Sequence, residues 1–261
     1  MTILGRILKE KKEELKALKR RRPLARLKKE VLRLPKKKPG FLKSLKSLKR
    51  FAVIAEIKKK SPSKGVISGN FDPLKIAKGY ERAGAGALSV LTDQKFFGGS
   101  AEILSRVRLR TRLAILRKDF ILDEYQVWES RLIGADAILL IASILSRGRL
   151  KTLAHAAARL GLDVLFEVHS LREIEKILPL HPKLVGINNR DLRTFLVDLR
   201  VTGKLMKRLP KDVFVVSESG IQTPGDLIYL RNLGVRAALV GESFMKEKNP
   251  GAALGRWMKA L

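Results

Sequence analysis

Apolar and polar residues follow two rhythms along this chain. From Phe51 to Ile57 the period is two: Ala52, Ile54, Glu56 and Lys58 share one face, and Val53, Ala55 and Ile57 share the other. Further short apolar runs near 86–91, 112–117, 136–141, 163–168, 184–188, 213–217 and 237–240 read as strands buried on both faces. Helical patterns fit between them, at about 73–83, 100–109, 122–133, 147–160, 170–178, 199–209 and 223–233, with a last one at 250–260. Asp72, Thr223 and Asn249 each precede a proline, which places a cap residue before a first helical turn. Gly84, Gly134, Gly161 and Gly234 fall where helices would end, and Gly-x-x-Ala recurs at Gly84–Ala87, Gly134–Ala137 and Gly234–Ala237. Repeated strand–helix units predict an α/β fold, a (β/α)8 barrel. The rival, a doubly wound open sheet, would want a glycine-rich phosphate turn after its first strand. Neither G-x-G-x-x-G nor G-x-x-x-x-G-K-[ST] occurs.

The first fifty residues behave differently. Ile3, Ile7, Leu8, Leu15 and Leu18 form a loose helical stripe that Pro23 interrupts. A second helical piece, Leu24–Leu34, stops at Pro35, and Lys36–Gly40 reads as a turn. Leu42, Leu45 and Leu48 then recur at every third residue of a short helix. We expect residues 1–50 to be a helical extension packed on a barrel of residues 51–261, one domain in all.

Charge sharpens the picture. The net charge is +30, and residues 1–50 carry 20 Lys and Arg against 4 Glu. A basic arm raises the possibility of nucleic acid or an anionic membrane. This arm lacks the interleaved aromatics and glycines of single-strand binders, so we expect a solvated helical surface, no nucleic-acid partner and no membrane partner. Few Asn and Gln, and no Cys, fit a heat-adapted or engineered sequence. The absence of cysteine excludes disulfides and thiolate metal sites. Met1–Arg20 has no uninterrupted apolar run of a secretory signal, and Ala137–Leu145 is too short to span a bilayer. A cytoplasmic monomer is the expectation.

Function in a barrel sits where the strands end. Those ends carry Glu56 and Lys58, then Lys118 in phase with Ala114 and Leu116, then Glu167 in phase with Leu165. Asn188 follows in phase with Gly186, then Arg190, and Glu218 in phase with Phe214 and Val216. Ser219-Gly220 and Gly241-Glu242-Ser243 follow the last two strands, where backbone N–H groups commonly hold phosphate. Lys58 and Arg190 add cationic contacts. His155, His169 and His181 show no metal-ligand spacing, so no metal is expected, and His169, past the strand end, reads as structural. Lysine acids and glutamate bases remain, which suits proton transfer at a sugar-phosphate carbonyl without a cofactor. Clustered ammonium and carboxylate groups can push their pKa values apart.

Motifs in order carry a resemblance. Glu56-Ile57-Lys58-Lys59-Lys60-Ser61-Pro62-Ser63, Ser89-Val90-Leu91-Thr92-Asp93, Leu116-Arg117-Lys118-Asp119-Phe120, Glu167-Val168-His169, Gly186-Ile187-Asn188-Asn189-Arg190-Asp191-Leu192 and Ser217-Glu218-Ser219-Gly220-Ile221 resemble indole-3-glycerol phosphate synthase. The resemblance implies ring closure of 1-(2-carboxyphenylamino)-1-deoxyribulose 5-phosphate to indole-3-glycerol phosphate, with loss of carbon dioxide and water. It implies Lys118 as general acid, Glu167 in proton transfer at dehydration, and Lys58 as the other acid or a carboxylate partner. Glu56, Asn188, Arg190 and Glu218 would orient these groups and the substrate. Ser219, Gly220 and the turn Gly241, Glu242, Ser243 would hold phosphate. Phe97 and Phe120, in loops, would pack on the aromatic ring, and Ser61 would touch the substrate. Ala114 stands where a proline is common, and Arg106–Arg112 is unusually basic. These departures leave room for a reconstructed barrel of weak activity, or for another sugar-phosphate barrel enzyme.

Overall fold

The computed structural model describes residues 2–48, 50–62, 65–67, 69, 71–191 and 196–261. Ser63 and Leu192 of the motifs above lie outside them. The barrel strands are β1 (Ala52–Ile57), β2 (Ala87–Leu91), β3 (Ile115–Lys118), β4 (Ala137–Ile141), β5 (Asp163–Val168), β6 (Leu184–Asn188), β7 (Phe214–Glu218) and β8 (Ala237–Val240). They close in chain order, all parallel, with Ala237 of β8 opposite Ala52 of β1. Three helices precede them: α1 (Ile3–Arg21), α2 (Leu24–Leu32) and α3 (Phe41–Lys46). The rest follow as α4 (Pro73–Arg82), α5 (Gln94–Phe97), α6 (Ala101–Arg108), α7 (Glu124–Leu132), α8 (Arg147–Arg159), α9 (Leu171–Ile177), α10 (Arg200–Met206), α11 (Pro224–Asn232), α12 (Glu242–Met245) and α13 (Pro250–Lys259).

The local signals act as their chemistry requires. Asp72, Thr223 and Asn249 accept hydrogen bonds from backbone N–H groups in the first turns of α4, α11 and α13. In each Gly-x-x-Ala unit the glycine follows a helix in left-handed backbone and the alanine opens a strand. β3 and β7 differ from the sequence pattern at their ends, and β1, β2 and β4 start one residue later. β3 begins at Ile115, because the Arg112 N–H donates to Glu81 Oε1 at 2.8 Å and the Leu113 N–H to Thr111 Oγ1 at 3.1 Å, which turns the chain first. β3 and β7 each run one residue further, so Lys118 stands opposite Leu91, and Glu218 opposite Asn188, within the sheet ladder. Phe97 lies on the one-turn helix α5 rather than in a loop, with the Phe96 N–H donated to Asp93 Oδ1 at 2.8 Å. Four residues are too few for a helical period to show in sequence.

Ala52, Ile54, Leu116, Leu165, Phe214 and Val216 fill the barrel interior, and Phe41 and Leu45 of α3 close it from below. Higher on the flank, Leu15, Leu27 and Val31 of α1 and α2 pack on Tyr125 and Trp128 of α7. At the top one lysine departs from the expected solvated surface, although most Lys and Arg of the arm are exposed. Lys11 is 1% exposed. Its Nζ lies 3.0 Å from Asp119 Oδ1, 3.1 Å from Asp93 Oδ2 and 2.8 Å from Glu14 Oε2. Lys11 shares a stripe with Ile7 and Leu15, and that stripe faces the loops after β2 and β3, where the two aspartates wait. Burial works against its charge, but the carboxylates outweigh it and hold the ammonium above the ordinary lysine range.

Candidate active site

A cavity of about 390 Å3 opens where the strands end. That volume suits a small molecule. Every residue named above as catalytic or substrate-binding lines it: Glu56, Lys58, Ser61, Phe97, Lys118, Phe120, Glu167, Asn188, Arg190, Glu218, Ser219, Gly220, Gly241, Glu242 and Ser243. The alternation along each strand explains this convergence. On β1, β3, β5, β6 and β7 the inward residues lower down are mostly apolar, and the last inward position is charged or, on β6, an asparagine, whereas β2, β4 and β8 bring Leu91, Ile141 and Leu239 to the cavity.

Lys118 stands between carboxylates. Its Nζ donates to Glu167 Oε2 at 2.9 Å and lies 3.4 Å from Glu218 Oε2. Lys58 makes a second pair, 2.7 Å from Glu56 Oε1. Gly186 makes room for this cluster, since a methyl group there would overlap Glu218 Oε1. Asn188 accepts the Arg190 N–H at 3.0 Å on Oδ1 and hydrogen-bonds Glu167. Burial opposes the charge of Lys118, but Glu167, Glu218 and Glu56 outweigh it and hold the ammonium well above its ordinary range. The two nearest carboxylates diverge. Glu167 is also opposed by burial, yet Lys118 and His169 keep it below the usual glutamate value. Burial pushes Glu218 up to about 7, against the pull of Lys118 and with a further push from Glu167 and Glu56. One carboxylate is thus held ionised while its neighbour can carry a proton near neutrality, which separates base from acid.

The remaining walls divide by polarity. Phe97 and Phe120 sit with ring centroids 6.2 Å apart, and Ile3, Leu4 and Ile7 of α1 complete that apolar side. The Ser61 hydroxyl and Glu218 Oε1 are buried with no hydrogen-bond partner among the described residues, an uncommon state for buried polar atoms. At the far end Ser219 and Gly220 both have positive φ, an uncommon conformation for serine. Buried Asn189 maintains it, donating through Nδ2 to Ser219 O at 3.1 Å and Glu218 O at 2.9 Å. The Ser243 hydroxyl donates to Ile221 O at 2.6 Å, which leaves its backbone rather than its side chain for an anion. Glu242 lies 2.7 Å from Lys246 Nζ and 3.8 Å from Arg190 Nη2.

Sequence reasoning missed several of these groups. Ile3 and Ile7 belong to the helical stripe read from the sequence and Leu4 does not, yet all three form cavity wall. Asn189 had a signal in the Asn188-Asn189 pair. His169 is not structural alone: its Nε2 lies 3.4 Å from Glu167 Oε1. Among the described residues no group of His, Asp and Glu could hold a metal ion.

Fold and site together define a (β/α)8-barrel enzyme that works with lysine and glutamate at the C-terminal rim. The solved structure of KGPDC from Streptococcus mutans matches with a TM-score of 0.60 over 81% of this chain and 97% of that one. At 14% identity it shows the shared fold alone. A sequence model described as indole-3-glycerol phosphate synthase matches residues 4–256. The indole-3-glycerol phosphate synthase of Acetivibrio thermocellus is 50% identical over 253 residues, 95% of each chain. That of Caldanaerobacter subterraneus subsp. tengcongensis is 48% identical over 244 residues, 94% of this chain and 93% of the other. The chain belongs to the indole-3-glycerol phosphate synthase family, and its function is that of an enzyme of this family.

Proposed function

We propose that the chain acts as a decarboxylating carbon–carbon lyase, closing the indole ring of 1-(2-carboxyphenylamino)-1-deoxyribulose 5-phosphate. The ring carbon bearing the carboxylate attacks the ribulose carbonyl carbon, and Lys118 delivers a proton to the carbonyl oxygen as the new bond forms. Carbon dioxide then leaves, and loss of the hydroxyl as water completes the product. Glu167, kept ionised, takes part in proton transfer at the dehydration, and Lys58, paired with Glu56, is the second ammonium in reach. Phe97 and Phe120 pack on the aromatic ring with Ser61 nearby. Arg190 and the backbone of Ser219, Gly220 and Gly241–Ser243 hold the phosphate. The observation that carries this reading is Lys118 fixed between Glu167 and Glu218, 2.9 and 3.4 Å away, in a cavity lined by Phe97 and Phe120 and by the Ser219-Gly220 and Gly241–Ser243 turns.

We also read the chain as a cytoplasmic monomer, with residues 1–50 and the barrel as one domain. No described helix is long and apolar enough to cross a membrane. The test is indole fluorescence after addition of the anilino-deoxyribulose phosphate, for the parent and for Lys118→Ala. Turnover in the parent and a loss of about 10^3-fold in the variant, with substrate still bound, is expected. A silent parent would overturn the reaction, and an active variant would overturn the role of Lys118.

A further inference from the structure

Behind Glu167, on the side away from Lys118, lies a titratable group that is not among the residues lining the cavity. His169 follows the end of β5 and is 12% exposed. Its Nδ1 sits 3.2 Å from Glu173 Oε2, and the same oxygen accepts the His169 backbone N–H at 2.8 Å. The Ser170 hydroxyl donates to Glu173 Oε1 at 3.1 Å, so Glu173, on α9, is fixed on both oxygens. The other ring nitrogen, Nε2, is buried, has no hydrogen-bond partner among the described residues and lies 3.4 Å from Glu167 Oε1.

The protonation of the ring follows from its neighbours. A carboxylate accepts and does not donate, so Nδ1 must carry the proton that faces Glu173. A neutral ring would then turn the Nε2 lone pair toward the Glu167 carboxylate in a buried place. An imidazolium offers N–H to both. Glu167 faces the ring from β5, Glu173 from α9 and, further off, Glu218 from β7. Lys176 of α9 is engaged elsewhere, donating to Ala142 O at 2.7 Å. Burial opposes the ring's charge, but these carboxylates hold its pKa above the ordinary histidine value.

We propose that His169 is a positioning residue that, as an imidazolium, holds Glu167 Oε1 while Lys118 holds Oε2. The carboxylate is then fixed from both sides, and Glu173 orients the ring as a second acid–histidine pair. The consequence for the reaction rests on the reading of Glu167 as a proton-transfer group. The state of the ring does not.

The experiment has two arms. Nitrogen-15 NMR of the free parent should show both ring nitrogens of His169 protonated at pH 7. Glu173→Gln, which keeps an acceptor without the charge, should lower the ring's titration by about one pH unit. In turnover, His169→Leu should lose about tenfold in kcat with KM within about twofold. His169→Gln, which can place a donor near the Nε2 position, should recover part of kcat. Parent kcat should fall as pH rises through the ring's titration, and His169→Gln should lack that fall. A neutral ring in the parent at pH 7, or the same pH profile for parent and His169→Gln, would overturn the proposal. A parent that makes no indole product would defeat the proposed reaction, while the ring titration would still decide for or against His169.

Discussion

Replacing Lys11 with methionine removes one charge and little volume, and the structure says how much should follow. Two buried aspartates, Asp93 and Asp119, lose a cation 3.1 and 3.0 Å away. An ion pair at that distance in an effective dielectric of 20 is worth roughly 5 kcal/mol before desolvation. The desolvation of a buried ammonium takes back much of it, and removing one partner of such a pair costs about 3–5 kcal/mol. Asp119 keeps Arg117, whose Nη2 donates to Oδ2 at 3.2 Å, whereas Asp93 loses an ion-pair partner. The chain has a cheaper response than unfolding, because α1 can lift and let water reach the acids. Lys11→Met should therefore expose α1 to trypsin about 10^2 to 10^3 times faster than the parent. KM should rise, since Ile3, Leu4 and Ile7 leave the cavity wall, while kcat changes less because strands hold Lys118, Glu167 and Glu218. Asp119 is opposed by burial but held below its ordinary value by Lys11 and Arg117. An acid with a depressed folded pKa stabilises above its unfolded pKa, and that contribution is lost as pH falls through the folded value. The variant should thus begin acid unfolding at higher pH. Cleavage of α1 within threefold of the parent, with KM unchanged, would refute this account.

Three further outcomes are expected. Gly186→Ala should displace the Glu218 carboxylate and lower kcat about 100-fold while melting remains cooperative; an unchanged kcat would mean that Glu218 need not stand there. Glu218 binds more protons folded than unfolded between the ordinary glutamate value and about 7, so stability falls as pH rises through that window. Glu218→Gln should remove this fall, worth roughly 3 kcal/mol between pH 4 and pH 8, in urea titrations at the two pH values. Phe41→Ala should cost about 3–5 kcal/mol of stability and leave kcat per folded molecule unchanged, since Phe41 packs at the barrel's lower end; a loss of kcat without a loss of stability would contradict that placement.

The barrel and most of its rim were legible for one reason. Five of the eight strands are largely apolar until their last inward position, so Glu56, Lys118, Glu167, Asn188 and Glu218 each break a pattern at the same point of the repeat. Asp72-Pro73, Thr223-Pro224 and Asn249-Pro250 marked helix starts because the cap chemistry is local. What failed to show depends on distant partners. Lys11 among so many lysines looks like surface, and its acids stand some 80 to 110 residues later in sequence. The His169 contact depends on α9 folding Glu173 back onto the ring. Apolar Ile3 and Ile7 announce a helix face but not what it covers. Helices α5 and α12, four residues each, are too short for a period to reveal.

The rim gathers Glu56, Glu167 and Glu218 around Lys58 and Lys118, and the raised pKa of Glu218 means that this arrangement costs stability at neutral pH. The N-terminal extension is placed to offset that cost without entering the cluster. α3 adds Phe41 and Leu45 to the lower core, α1 and α2 together cover Tyr125 and Trp128, and α1 carries Lys11 to the rim. Part of the arm's excess positive charge thus neutralises acids beside the site. Asp119, which Lys11 holds, is the next residue after Lys118 but makes none of the latter's ion pairs. Undocking α1 would then remove a cavity wall and release the neighbour of Lys118, while Glu167 and Glu218 remain where their strands put them. A change in KM larger than that in kcat is what this division of labour requires.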